Sequence, residues 1–248
     1  MTIRAEWYPV FLREMLLFRR KLLHVSYLVS AMVTPIIYLV TFGFGLGGDI
    51  RIHGQTYLAF LLPGLVAMTS MNNSYSWVAT NLNLNRLYLR TFQVLTQAPI
   101  RAGSILIGEV LAAMVKGLFA SALIIVIGYV AGSFSISPAF VIALLINCFL
   151  FANLGVIVGM RSRSHEDTGT YSNFLIMPMA FLSGTFFQVD RVPGLLKAVI
   201  YVLPLTHTNT LIRKSSMDGA AWCALAILIG YSVLFSLSAW ILIRRYSE

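Results

Sequence analysis

Long apolar runs alternate with short polar segments along almost the whole chain. A helix needs roughly 20 apolar residues to cross about 30 Å of hydrocarbon, and these runs lack the two-residue alternation of a transmembrane β-strand. We therefore predict an all-α polytopic membrane protein whose single transmembrane domain covers residues 1–248. Its six predicted transmembrane helices are residues 25–46, 57–79, 104–131, 139–160, 171–187 and 220–243.

The fifth predicted span is less regular than the others. Pro178 interrupts it, and residues 188–217 after it combine prolines with short amphiphilic pieces. Because non-helical backbone at membrane depth must be covered by protein or water, we predict an outer re-entrant segment between spans five and six. The candidate outer gate consists of Ser183, Gly184, Pro204 and His207.

The N-terminal segment, residues 4–23, has an amphipathic pattern. On a helical projection Glu6, Arg13 and Arg20 lie opposite an apolar face. That face consists of Trp7, Phe11, Met15, Phe18 and Leu22. The pattern predicts an interfacial helix on the cytoplasmic membrane surface. The alternative is a continuation of the first span into the cytoplasm.

The loop between the second and third spans contains a second amphipathic segment, residues 84–99. Its apolar positions follow helical spacing, and a helix should stop before Pro99 because proline disfavours the helical conformation in the residue before it. The apolar positions are Leu84, Leu87, Tyr88, Phe92 and Leu95. A short helix here could act as a lever for a partner protein, or it could lie on the membrane surface.

Charge gives the predicted orientation. The chain is 58% hydrophobic and 11% charged, with a net charge of +9. Most lysines and arginines fall in alternate polar segments, which predicts that both termini are cytoplasmic. This arrangement favours a membrane orientation signal over nucleic-acid binding. The outer segments still hold five cationic residues: Arg51, Arg191, Lys197, Arg213 and Lys214.

The sequence offers no catalytic constellation. It lacks the G-x-x-x-x-G-K-S/T loop that cradles nucleotide phosphates, and its two cysteines and four histidines have no metal-ligand spacing. We therefore expect no catalytic residue, no metal and no cofactor bound by this chain. A transport subunit is a better interpretation than an enzyme.

Two ionisable residues, Glu109 and Lys116, fall within the third predicted span. Seven residues are two helical turns, so the two side chains share a face about 10 Å apart. Buried charges in a membrane are costly unless paired. They could form a proton relay, or Lys116 could extend toward Glu109 near the cytoplasmic end.

The second span and its extension carry a polar stripe. It includes Thr69, Asn72, Asn73 and Ser76. Such side chains face other helices or water rather than lipid. They could hold helices together or line a substrate pathway.

Three regions resemble one known family. They are residues 95–100 (LTQAPI), residues 164–173 (SHEDTGTYSN), and residues 177–207 with the elements FLSGTFF, VDRVPG and LPLTH. With the span pattern, they make the chain similar to the transmembrane subunit of ABC exporters of the ABC-2 type. That family includes permeases for polysaccharides, nodulation lipo-oligosaccharides and anthracycline drugs.

The resemblance implies a homodimer in the inner membrane that works with two copies of a separate ATPase, which binds ATP and Mg. The N-terminal helix would seat the ATPase and residues 84–99 would form the coupling helix, so that an amphiphilic or lipid-linked substrate moves outward. The implied coupling residues are Arg86, Arg90, Phe92, Gln93 and Pro99. Related permeases often carry Glu where this chain has Gln93. The alternative is a proton-coupled secondary transporter that uses Glu109 and Lys116.

Overall fold

The computed structural model describes residues 6–22, 33–46, 51–52, 54–130 and 136–247. Over these residues the chain is mainly helical, with one short antiparallel hairpin that pairs β1 (Arg51–Ile52) with β2 (Gln55–Thr56). The helices are α1 Trp7–Leu22, α2 Val33–Gly43, α3 Tyr57–Leu87, α4 Thr91–Gln97, α5 Ala102–Val130, α6 Pro138–Arg161, α7 His165–Tyr171, α8 Met177–Leu182, α9 Gly194–Val202, α10 Pro204–Ile212 and α11 Gly219–Ser247.

Three of the described helices, α5, α6 and α11, are long and apolar enough to cross a membrane. The pair α9 and α10, bent by 89°, could count as a fourth span. α3 is long, with 31 residues, but the polar residues along it lower its hydropathy. The chain is thus an all-α membrane protein, and the count of six spans stays a prediction.

Several predicted segments differ from the helices that form. Of the predicted first span, residues 25–46, the first eight lie outside the described residues, and the remainder is helical with a π-helical part at Leu39–Leu46. The predicted interfacial segment 4–23 corresponds to α1, with residues 4, 5 and 23 also outside the described ranges. Of the predicted coupling segment 84–99, the first four residues end α3, and only Thr91–Gln97 form a separate helix.

The fifth predicted span is built from three pieces. It begins earlier than predicted, at α7, and a π-helical turn at Ser172–Ile176 joins α7 to α8. α8 ends at Leu182, so residues 183–187 form a loop instead of the predicted end of the span. Gly184 has a φ of +73°, a left-handed conformation that glycine adopts without strain, and this stops the helix.

The predicted re-entrant segment 188–217 is also helical in part. A 3₁₀ turn at Val189–Arg191 precedes α9, and α10 begins with Pro204 after the sharp bend. Proline suits the first turn of a helix because it lacks the N–H that would be unsatisfied there. α10 packs against α3, α6 and α11. Entry of these helices into the bilayer stays a prediction.

α3 and α6 form the centre of the bundle and approach each other closely. A Cβ at Gly155 would lie 2.6 Å from the carbonyl oxygen of Tyr75, and one at Gly159 would lie 3.0 Å from that of Ala79. Small residues four apart let two helix backbones come together in a membrane. The Gly155–Gly159 pair on α6 therefore sets the distance between the two helices.

A buried hydrogen-bonded group joins α3, α6 and α10. Asn147 Nδ2 donates to the Ala67 carbonyl at 3.0 Å and to Ser70 Oγ at 2.7 Å. Thr208 Oγ1 donates to Asn147 Oδ1 at 2.8 Å. Polar groups within a membrane must find their partners inside the protein, so this group fixes α10 against the central pair.

Candidate functional site

α3 connects two opposite ends of the bundle. Its first residue, Tyr57, donates a hydrogen bond to the Phe186 carbonyl at 2.8 Å, and its last turn leads to α4. We call the region of the β-hairpin, residues 183–187 and α9 the hairpin end. We call the region of α4, the end of α3 and the end of α11 the α4 end.

The α4 end begins with a fixed turn. Between α3 and α4, Arg90 has a φ of +54°, a left-handed conformation that is uncommon outside glycine. α4 then runs from Thr91 to Gln97, and exposed Pro99 follows it. The chain therefore reverses sharply and presents a two-turn helix at the end of the bundle.

The inner face of α4 is held by α3 and α11. Phe92 is fully buried, with its ring 5.3 Å from that of Tyr246. Gln93 Nε2 donates to the Arg86 carbonyl and to the Tyr246 hydroxyl, both at 2.9 Å. The Arg86 guanidinium in turn donates to the Ser162 carbonyl at the end of α6. α4 thus contacts two long helices, α3 and α11, and Arg86 connects α3 to the end of a third, α6.

The outer face of α4 and its preceding turn is exposed and apolar. Leu89 is 65% exposed and Val94 is 67% exposed, and Tyr88 and Arg90 beside them are also exposed. We call these four residues the α4 surface. An apolar patch beside a cation is typical of a surface that contacts a protein or a membrane.

The predicted coupling residues therefore divide into two groups. Arg86, Phe92 and Gln93 come together beneath α4 and hold it in place. Arg90 and Pro99 lie exposed at its two ends. Phe92 is buried, so it positions α4 rather than contacting a partner; the coupling role of the whole set stays a prediction.

α1 packs along α5 at the same end of the bundle. Its buried residues are Val10, Glu14 and Phe18, a face rotated by roughly 60° from the apolar face that the pattern predicts. A Cβ at Gly108 would lie 2.8 Å from the Trp7 carbonyl oxygen, so the two helix backbones nearly touch. This rotation of α1 places the carboxylate of Glu14 in the core.

Glu14 completes a row of alternating charges in which all members except the half-buried Arg13 are buried. Arg13 Nη2 lies 2.8 Å from Glu109 Oε1 and 3.0 Å from Glu14 Oε1, and Lys116 Nζ lies 3.1 Å from Glu14 Oε2. Among the described residues, Glu109 and Lys116 form ion pairs with α1 and not with each other. The order Glu109, Arg13, Glu14, Lys116 balances two positive and two negative charges.

Trp77 of α3 contacts both Glu14 and Lys116 at one end of this row. Its Nε1 donates to Glu14 Oε2 at 2.8 Å, and Lys116 Nζ lies 3.7 Å from the centroid of its ring. An ammonium group over an indole face gains cation–π attraction when it is out of water. The four charges and this tryptophan, which we call the charge row, connect α1, α3 and α5.

The predicted polar stripe on α3 is partly buried. Thr69 is buried, but Asn72 and Asn73 are half-buried and Ser76 is exposed. A side-chain bond from α6 to this part of α3 is made beside the stripe, where Asn147 donates to Ser70. A role for the stripe in helix packing or in a substrate pathway stays a prediction.

The hairpin end is organised around Arg213, at the end of α10. Its guanidinium donates to the carbonyls of Gly184 at 2.9 Å, Thr185 at 3.1 Å and Phe60 at 3.2 Å. Asn209 Nδ2 adds a bond to the Ser183 carbonyl at 2.9 Å. The loop 183–187 is therefore held to α3 and α10 by its own backbone.

The structure brings two of the four predicted gate residues into this loop, Ser183 and Gly184. Pro204 and His207 lie on α10, where His207 Nε2 is 2.8 Å from the Tyr201 carbonyl oxygen across the bend. Pro204 and His207 thus shape the α9–α10 corner. Gating by any of the four stays a prediction.

The ABC-2 type transporter family model matches residues 9–217. The chain belongs to this family, and it is a membrane permease of the ABC transporter class. Nodulation protein J of Rhizobium meliloti is 32% identical over 250 residues, covering 97% of this chain and 94% of the relative. The inner membrane transport permease YadH of Escherichia coli is 26% identical over 227 residues, covering 89% and 88%.

Proposed function

We propose that the chain is the membrane-spanning subunit of an exporter driven by a separate ATPase. The observation that carries this proposal is the α4 surface, an exposed apolar patch on a helix that is rigidly held from beneath. A partner that docks there has a direct mechanical connection to the spans. Membership of the ABC-2 family supports the same arrangement.

The contacts beneath α4 suggest how force would reach the membrane. Gln93 bonds both α3 and α11, and Arg86 bonds the end of α6. A push on α4 would therefore displace three long helices together instead of bending one loop. We infer that approach of two ATPases, each holding ATP and Mg, drives this displacement.

The remaining parts of the proposal follow the family. Two copies of the chain form a homodimer in the inner membrane, with both termini and the α4 end cytoplasmic and the hairpin end outside. An amphiphilic or lipid-linked glycan, lipid or drug moves outward. The lysines and arginines near the α4 end support this orientation, and the Escherichia coli relative is named as an inner membrane permease.

Replacement of Leu89 by aspartate tests the docking surface. The matched control is Leu195→Asp, since both leucines are exposed and Leu195 lies at the hairpin end. We expect Leu89→Asp to reduce copurification of the ATPase at least about tenfold, because a charge is placed in an apolar contact. Leu195→Asp should copurify like the wild type. Equal copurification by all three proteins would show that the ATPase docks elsewhere.

The charge row bears on the proton-coupled alternative. Glu109 is paired with Arg13, and Lys116 with Glu14, and this pairing supports a structural role for both residues. We therefore expect transport by the reconstituted protein to require ATP and its ATPase. Substrate movement driven by a proton gradient alone, and abolished by Glu109→Gln, would instead support the relay.

A further inference from the structure

Cationic residues at the hairpin end divide into those with partners and those without. Lys197 Nζ lies 2.9 Å from Asp190 Oδ1, and Lys214 Nζ lies 2.5 Å from Asp218 Oδ2. Arg213 is held by three carbonyls. Among the described residues, Arg51 and Arg191 have no ion pair or side-chain hydrogen bond. Arg213 keeps its charge but its donors are already bound, so Arg51 and Arg191 are the two exposed arginines at this end that are free to bind an anion.

The same two arginines line one pocket. It has a volume of about 340 Å³, within the range of small-molecule sites. Arg51 comes from β1 and Arg191 from the 3₁₀ turn. The other lining residues are Ile52, Phe187, Gln188 and Val192. Two segments distant in sequence therefore place unpartnered guanidinium groups around a single cavity.

The geometry points to a site for a phosphate group carried on an apolar or ring-bearing molecule. We propose that Arg51 and Arg191 bind the phosphate, while Phe187, Ile52 and Val192 contact the attached apolar part. Phosphate has enough oxygen atoms to accept hydrogen bonds from two guanidinium forks at once, whereas one fork is sufficient for a carboxylate. Gln188 adds one more polar group to the wall.

The pocket adjoins the loop 183–187. Phe187 is the last residue of the loop 183–187, which Arg213 and Asn209 hold in place. A phosphate between Arg51 and Arg191 would connect this loop to the β-hairpin. The site does not depend on the direction of transport or on the ATPase, so it is testable on the isolated permease.

Three soluble compounds test the site with the purified full-length protein in neutral detergent. They are dihexanoyl phosphatidylglycerol, dihexanoyl phosphatidylcholine and inorganic phosphate. Titration calorimetry should show the anionic lipid binding at least about tenfold more tightly than the zwitterionic one. Arg51→Gln and Arg191→Gln should each weaken binding of the anionic lipid about tenfold, since each removes a charge-assisted bond.

Lys214→Gln is the matched control, because it removes a positive charge at the same end and its partner Asp218 lies outside the pocket. It should leave the affinity within about twofold of the wild type.

If inorganic phosphate competes at similar concentrations, the bound group is free phosphate; if only the lipid binds, it is a headgroup. The proposal is wrong if the Arg51→Gln/Arg191→Gln protein binds the anionic lipid like the wild type. It is equally wrong if Lys214→Gln weakens binding as much as the arginine variants do. All variants should elute as the wild type in size exclusion, since both arginines are exposed.

Discussion

Glu14→Gln should destabilise the protein strongly, because it leaves Lys116 without its ion-pair partner in the core. The Glu14 side chain is fully buried and that of Lys116 is 1% exposed. Glutamine keeps the size of the side chain and an oxygen that can accept from Trp77. The variant therefore removes one negative charge with little change in packing.

The expected cost follows from the burial of the pair. Removing one partner of a buried ion pair typically costs about 3–5 kcal/mol, because the other charge remains uncompensated. The double variant Glu14→Gln/Lys116→Gln removes both charges and should cost less than the sum of the two single variants. We expect a coupling energy of about 2 kcal/mol between the two positions.

Unfolding of the purified protein in detergent, followed by circular dichroism, measures these free energies. Arg20→Gln is the control, because Arg20 is an exposed charge on the same helix; its effect should stay within about 0.5 kcal/mol. The reasoning fails if Glu14→Gln is no more destabilising than Arg20→Gln. It also fails if the effects of the two single variants simply add.

Two further predictions concern the central helix pair and the hairpin end. Gly155→Ala should destabilise the protein by about 1–3 kcal/mol, because its methyl group would meet the Tyr75 carbonyl. Gly169→Ala, where a Cβ meets nothing within 4 Å, should not destabilise it; equal unfolding free energies would contradict the close packing. The Lys214 ammonium and then the Ala221 N–H bond Asp218 and lower its pKa, so the ionised pair is present at neutral pH and is lost as the pH falls through that lowered pKa. Lys214→Gln should raise the pKa of Asp218, measured by carbon-13 NMR of labelled aspartate, and an unchanged value would show that the pair contributes little.

The apolar helices could be predicted because length and hydropathy alone define them. α5, α6 and α11 begin and end within a few residues of the predicted spans. α3 was harder to delimit, because its helix continues beyond the apolar part to Leu87. Its buried residues lie on more than one side, so a helical projection cannot tell which part of α3 packs against its neighbours.

The side-chain pairings could not be predicted from the sequence. Glu109 and Lys116 share a helix face, and spacing alone suggests a pair, but the partner of Lys116 is Glu14, 102 positions away. α1 rotates to bury Glu14 because the charge of Lys116 compensates it there. The partners of Arg213 could not be predicted either, because they are backbone carbonyls. Every residue has a backbone carbonyl, so the sequence does not indicate which ones Arg213 contacts.

The π-helical turn at Ser172–Ile176 makes this part of the chain tolerant of a change in length. A π-turn closes its hydrogen bonds over one more residue than an α-turn, so it absorbs an inserted residue locally. Deleting one residue within Ser172–Ile176 should therefore fuse α7 and α8 into one continuous helix while each keeps its packing face. The same deletion within α6 would rotate everything after it by about 100°. This turn is therefore a place where the chain length can change by one residue without altering the helix packing of the bundle.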